Sequence, residues 1–161
     1  MDIDKIIQER KQKEEEAKLQ NEARKRAQTE EIERERIRRE GNAAEVERHL
    51  LNVVAPVFSE AEQKLNAAGY TFSVSESRRS DKGFGGSRSF AMGLALEYRG
   101  EILATLKFEG DFQSVTLAPS EFVRSGRAIL DAPMALTAVT TDYVEQRTQE
   151  FVRKALELSA T

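Results

Sequence analysis

Cysteine and histidine, two residue types that often carry catalysis or bind metals, are almost absent from this sequence. It contains no cysteine and one histidine, His49, which stands beside Arg48 at the border of an apolar stripe. One imidazole without cysteine cannot form an ordinary zinc site, so His49 is expected to pack at the edge of a core. The glycines of segment 82–86 lack the lysine and the following helix that a phosphate-binding loop requires. We therefore expect a protein that is not an enzyme and holds no cofactor or metal.

The segment 78–88 contains the residues best suited to specific recognition. In a stretch rich in Gly and Ser it combines four cations with one aromatic ring: Arg78, Arg79, Lys82, Phe84 and Arg88. Guanidinium groups pair with phosphates, and an exposed ring can stack on an unpaired base. The segment is therefore a candidate site for nucleic acid or another anionic partner, on a flexible loop between two strands. The same composition also suits an ordinary solvated hairpin loop, and that alternative stays open.

The charge balance limits what such a loop can do alone. Residues 1–41 hold 12 basic and 12 acidic side chains, and residues 42–161 hold 13 and 16, which accounts for the net charge of −3. Neither part would attract a polyanion over a long range. Any binding of nucleic acid would therefore depend on a local patch.

Other features predict a cytoplasmic protein without membrane contact. Asp2 and Asp4 stand where a signal peptide would be basic, and no apolar stretch approaches the roughly 18 residues of a membrane span. The absence of cysteine suits a reducing compartment.

The segment from Gln8 to Glu40 has the composition of a solvated helix. It places 21 charged residues in 33 positions, without Gly or Pro, and Leu19, Ile32 and Ile37 are its large aliphatic side chains. Glutamate precedes Lys or Arg by four residues at several places, as in Glu30 with Arg34, and each such pair contributes about 0.2 to 0.5 kcal/mol to a helix. Residues 1–41 are therefore predicted to form a charged helical arm.

The arm has two possible uses. A coiled coil needs apolar residues at its a and d positions, but the register that starts with Ile3 and Ile6 continues with Arg10 and Lys13. The arm therefore fits a lone charged helix that sets a distance, or a weak helix that binds a partner or a second copy of itself. Both uses remain open.

Residues 42–161 contain the periodic apolar patterns of a domain. Gly41 and Asn42 are predicted to end the arm helix and to start a second one, which Gly69 closes. Within it Pro56 is expected to cause a kink near Asn52 to Pro56, or a restart of the helix capped by Ser59 with Glu62. That helix carries one apolar stripe, made of Val46, Leu50, Val53, Val57, Ala61 and Leu65.

From Tyr70 the apolar period changes to two, which predicts strands. Four strands are expected, within 70–75, 90–98, 102–108 and 113–117, with a tight turn at Arg99 and Gly100. Pro119 is expected to end the fourth strand, and 120–139 to form a partly buried loop. A helix opened by Thr140 or Thr141 ends the chain.

These elements predict an α+β fold in two layers: a long charged N-terminal helix, a second helix, a four-stranded antiparallel meander and a C-terminal helix. The expected function is that of a non-enzymatic protein-interaction or assembly module, with residues 1–41 as a helical spacer or docking arm. Its partner would be another protein or a second copy in a homodimer. Binding of nucleic acid through the loop 78–88 is the alternative.

Overall fold

The computed structural model describes residues 2–81, 86–124 and 126–159. By its internal contacts the chain divides into two compact units, Met1–Glu40 and Gly41–Thr161. The α+β prediction is confirmed, with a long N-terminal helix, an antiparallel sheet and a C-terminal helix.

The first helix, α1, spans Ile3–His49, so the predicted long N-terminal helix is confirmed. In the first unit nearly all of its described side chains are exposed, and Leu19 is 64 % exposed. Charge pairs run along its surface, and Arg36 contacts both Glu33 at 2.5 Å and Glu40 at 2.8 Å. Such exposed pairs support the helix locally but add little to the stability of a fold.

The predicted helix end at Gly41 and Asn42 is wrong, because α1 continues through both residues to His49. A glycine inside a helix costs about 1 kcal/mol relative to alanine, and strong helix formers on both sides can offset that. The irregularity comes later, as a π-helical turn, Leu50–Val54, in which the Ala55 amide donates to the carbonyl of Leu50. Pro56 then stands in the first turn of α2 (Ala55–Ala67), where its missing N–H is tolerated.

The sheet follows α2 and is antiparallel throughout. Its strands are β1 (Thr71–Asp81), β2 (Gly86–Tyr98), β3 (Glu101–Asp111), β4 (Thr116–Val123), β5 (Gly126–Ile129) and β6 (Met134–Ala135). They lie in the order β1-β2-β3-β4-β5, and β6 pairs with the start of β4. The predicted turn between β2 and β3 forms, with positive φ angles of 52° at Arg99 and 80° at Gly100. A short 3₁₀ turn, Leu136–Ala138, and α3 (Thr141–Ser159) complete the chain.

Two predictions about the end of the meander are wrong. β4 does not stop at Pro119, and the stretch 120–139 adds β5 and β6 to the four expected strands. Pro119 fits because its carbonyl points away from β3, where it accepts a hydrogen bond from the Leu130 amide. Its nitrogen faces the same way, so the missing N–H removes no hydrogen bond between β3 and β4.

The core lies between the helices and one face of the sheet, which is called the covered face here. This face carries Phe72, Met92, Leu94, Leu96, Leu106, Phe108 and Leu117. Leu50, Phe58 and Phe151 pack against it from the helical layer. Phe58 and Phe108 are in ring contact, with centroids 5.9 Å apart. The predicted two-layer core, including Leu50, Phe72, Leu94, Leu106 and Phe151, is confirmed.

Candidate interaction surface

Most residues of the basic segment 78–88 belong to two strands of the sheet. β1 runs to Asp81 and β2 begins at Gly86, so most of the predicted connection is strand. The expectation of a long flexible loop is therefore wrong for the part that the structure describes. Lys82 and Phe84 lie outside the described residues, and Arg88 is placed in β2 by its backbone alone.

Arg78 and Arg79 point to opposite faces of β1 and differ in their surroundings. The Arg78 guanidinium lies 4.4 Å from the ring centroid of Phe90 and donates a hydrogen bond to the carboxylate of Glu47. A cation above an aromatic face and beside a carboxylate is stabilised by both. Both side chains are exposed, but Arg78 is tied to the domain by these contacts. Sequence alone could not separate them, because their partners are distant in the chain.

His49 has a packing role. Its Nε2 lies 2.7 Å from the carbonyl oxygen of Val139. A carbonyl can only accept, so Nε2 carries the proton and the ring ties α1 to the segment before α3. This placement at the border of the core is the one that the sequence predicts.

The face of the sheet opposite to the helices is called the open face here. Its side chains come from four strands: Ser73, Ser75, Ser77, Arg79, Ala91, Gly93, Ala95, Ile102, Thr105, Lys107, Glu109, Ala118, Ser120 and Phe122. Phe122 is 45 % exposed and Ile102 is 53 % exposed. The face therefore combines small and polar side chains with two large apolar ones.

β2 contributes the small residues Ala91, Gly93 and Ala95 to the centre of the open face. At Gly93 an added Cβ would lie 3.2 Å from the Ser75 hydroxyl oxygen and 3.3 Å from the Thr105 methyl carbon. The side chains of the two neighbouring strands therefore occupy the space beside this glycine, which lets them pack closely across β2. Ala91 and Ala95 are each 4 % exposed.

The outer edge of β1 is closed along half of its length by side chains of α2. Asn66 accepts a hydrogen bond from the Phe72 amide at 2.8 Å and donates to its carbonyl at 3.2 Å. Glu62 accepts from the Val74 amide at 2.7 Å. Both side chains thus satisfy backbone groups of β1 that would otherwise face solvent. Edge strands are commonly covered in such ways.

A polar cluster fastens the segment before β6 to α3. Tyr143 donates its hydroxyl hydrogen to Asp131, and Arg147 lies 2.6 Å from the same carboxylate. The hydrogen bond from Tyr143, together with the positive charge of Arg147, lowers the pKa of Asp131. Burial and the hydrogen bond to Asp131 raise the pKa of Tyr143. The cluster works as a structural tie between the two segments.

Glu121 is a buried carboxylate that the sequence did not single out. It is 4 % exposed, on the covered face beside Leu106. Its Oε2 lies 3.3 Å from Nζ of Lys154 on α3, and its Oε1 has no hydrogen-bond partner in the described part of the chain. Burying a carboxylate costs free energy, and the contact with Lys154 offsets part of that cost. This contact also links β4 to α3.

A surface hollow of about 420 Å³ lies near the end of α3, lined by Tyr98, Arg99, Leu103, Arg124, Leu158 and Ser159. Over residues 2–81, 86–124 and 126–159, no group of acidic or histidine side chains is arranged to hold a metal ion. Within the same ranges no helix is both long and apolar enough to cross a membrane.

No protein-family model, no curated protein and no solved structure matches this chain.

Proposed function

We propose that this protein is a non-enzymatic interaction or assembly module. The domain of residues 42–161 presents the open face to a protein partner, and residues 1–41 act as a helical spacer or docking arm. The main support is the open face itself, where the large apolar side chains of Phe122 and Ile102 are exposed.

The chemistry of the open face favours a polypeptide over a polyanion. Covering Phe122 and Ile102 would remove apolar area from water, at about 25 cal/mol per Å². The serines of β1 offer hydrogen bonds along one side of this face. Among the side chains that the structure describes, the cations of this face are Lys107, 3.4 Å from the Glu109 carboxylate, and Arg79, which is exposed.

The charged arm supports the same proposal in a different way. Its side chains are exposed and its apolar residues do not form a continuous stripe. A helix of this type adds little to a core, but it can hold a fixed length between two attachment points.

Two substitutions with matched exposure test the use of the open face. Phe122 on the open face and Leu51 on the π-helical turn are each 45 % exposed. Affinity capture from native lysate with nuclease should recover a protein partner with wild type and with Leu51→Ser. The same partner should be lost with Phe122→Ser, because only Phe122 belongs to the proposed contact. Equal capture by the two variants would contradict docking at this face.

Salt dependence separates this function from binding of nucleic acid through 78–88. Contact through phosphates weakens steeply with salt, whereas apolar docking does not. Our proposal expects capture to survive nuclease and 0.5 M salt, as well as the substitution Arg79→Ser. Arg79 is the right residue for this test, because replacing Arg78 would also remove its contacts with Glu47 and Phe90. Nucleic acid that is bound near 0.15 M salt and lost with Arg79→Ser would favour the alternative.

A further inference from the structure

The uncovered part of the β1 edge offers backbone hydrogen bonds to another strand. β1 is the outermost strand of the sheet, and the amides of Phe72 and Val74 face outward to α2 side chains. Since strand residues alternate, the next outward backbone groups belong to Glu76 and Arg78. Neither residue has a backbone hydrogen bond on that side within the described part of the chain. The closed half of the edge thus continues into an open half.

The charged side chains on the open half of the edge can pair with the same side chains of a second copy. When two copies of β1 pair antiparallel about a two-fold axis at Ser77, Glu76 of each copy lies opposite Arg78 of the other. Opposite charges in directly facing positions stabilise a strand pair, and like charges destabilise it. An axis at residue 76 would place glutamate against glutamate, and an axis at residue 78 would place arginine against arginine. Only the axis at Ser77 pairs the two opposite charges.

The other registers meet obstacles that are visible in the domain. An axis at residue 75 would need the amide of Val74, which already donates to Glu62. An axis at residue 79 would bring Arg79 against Arg79 of the second copy. With the axis at Ser77, two serines meet at the closest point of the pair, where small side chains fit without a clash.

The side chain of Arg78, on the covered face, is already held in place before a second strand binds. Arg78 is held in place by the ring of Phe90 and by Glu47, so its guanidinium does not need to be ordered when a second strand arrives. The two-fold axis produces two pairs of Glu76 with Arg78. Each pair would exchange two backbone hydrogen bonds, so the contact would contain about four. It would join two sheets into one continuous sheet across the axis.

We propose that β1 pairs with β1 of a second copy through residues 76–78, about a two-fold axis at Ser77. The contact uses the edge of the sheet and leaves the open face available, so it does not depend on the function proposed above. The occupant of the edge is this chain itself, because its own charges provide the complement.

Charge reversal tests the pairing. Sedimentation of the full chain at 1 to 100 µM should give a dimer mass for wild type. E76R and R78E should each be monomeric, because each places like charges opposite one another. An equimolar mixture of E76R and R78E should recover the dimer mass, since each arginine of one chain then faces a glutamate of the other. Thermal melting of each variant checks that it is folded.

A cysteine scan tests the register independently of charge. The chain has no cysteine of its own, so Ser77→Cys should form a disulfide-linked dimer under mild oxidation. Ser75→Cys, exposed on the same face of the same strand, is the matched control. Its two copies would be roughly 14 Å apart along the strands and should remain reduced.

Three results would overturn the proposal. The first is a monomer mass for wild type at 100 µM without cross-linking of Ser77→Cys. The second is faster cross-linking of Ser75→Cys than of Ser77→Cys. The third is a dimer that persists in both E76R and R78E, which would place self-association on another surface. None of these results would affect capture of a partner through Phe122, so the two proposals fail separately.

Discussion

Neighbouring residues in this protein have roles that are decided by the face on which they lie. Arg78 and Arg79 are adjacent and both exposed, yet Arg78 contacts Phe90 and Glu47 whereas Arg79 lies on the open face. A count of basic residues in 78–88 does not show that one of these charges already has a carboxylate beside it. Glu62 shows the reverse case, because a carboxylate on a helix surface proves to close a strand edge.

The cluster around Asp131 predicts a particular dependence on acid. Its pKa in the folded protein is lowered, first by the hydrogen bond from Tyr143 and then by the charge of Arg147. A lowered carboxyl pKa contributes stability above the unfolded-state pKa, and this contribution is lost as the pH falls through the folded-state pKa. Tyr143→Phe should raise the pKa of Asp131 towards its ordinary value in an NMR titration, and stability should then fall less on acidification. Tyr70→Phe is the control and should leave the pKa of Asp131 unchanged.

Gly110 predicts a steric effect on stability. An added Cβ at this residue would overlap the side chain of Val46 and lie 3.3 Å from the side chain of Leu50. Gly110→Ala should destabilise the domain by about 1 to 3 kcal/mol in urea unfolding, because the packed helix has to shift. Gly41→Ala has no atom within 4 Å of the added carbon and should cause no loss. Equal stability of the two variants would mean that α1 lies less closely on β3 than described.

The elements differ in what their sequences contribute. α1 is supported locally by charged residues, whereas β2 and β3 alternate apolar residues that are useful only when a second layer covers them. The π-helical turn Leu50–Val54 follows Val46, which is buried in the core, and directly precedes the helix that contains Pro56. Pro56 has no N–H to donate to the carbonyl of Asn52, so the regular α-helical pattern is interrupted at this place.

Two leucine substitutions test this contrast between elements. Leu94 on β2 is fully buried, and Leu94→Ala should cost about 2 to 5 kcal/mol of unfolding free energy. Leu19 on α1 is 64 % exposed, so Leu19→Ala should leave the unfolding midpoint of the domain unchanged. Equal losses from the two substitutions would show that the core extends into the first unit.

At the scale of the whole molecule, the core belongs to one of the two units. The first unit, Met1–Glu40, has exposed side chains along its helix, and the buried apolar residues begin at Val46 in Gly41–Thr161. The two proposed contacts, the open face and the β1 edge, both belong to the second unit. The spacer or docking role proposed for residues 1–41 uses neither of them.

Removing residues 1–40 tests this division. The fragment 41–161 should melt cooperatively, with a midpoint close to that of the full chain, because it retains every buried apolar residue. The measurement is a thermal melt of both proteins by circular dichroism. A fall of more than about 8 °C, roughly 1 to 2 kcal/mol for a domain of this size, would show that the first unit stabilises the second.

Much of the fold could be predicted, because the relevant signals are local. The alternation of charge along α1, the period of two in β2 and β3, and the glycine of the turn at Gly100 each act within a few residues. The missed elements lacked such a signal. β5 and β6 are short and irregular in sequence, and they form strands because β4 presents hydrogen-bonding groups to them.

The sequence by itself determined the solvated helix, the α+β order of elements and the residues of the core, because charge patterns and apolar periods depend only on near neighbours. Tertiary structure alone decided that Arg78 is bound within the domain, that Asn66 and Glu62 close half of the β1 edge, and that one face of the sheet stays open. Those contacts join residues from different elements, often more than ten positions apart. Their geometry exists only once the helices have packed on the sheet.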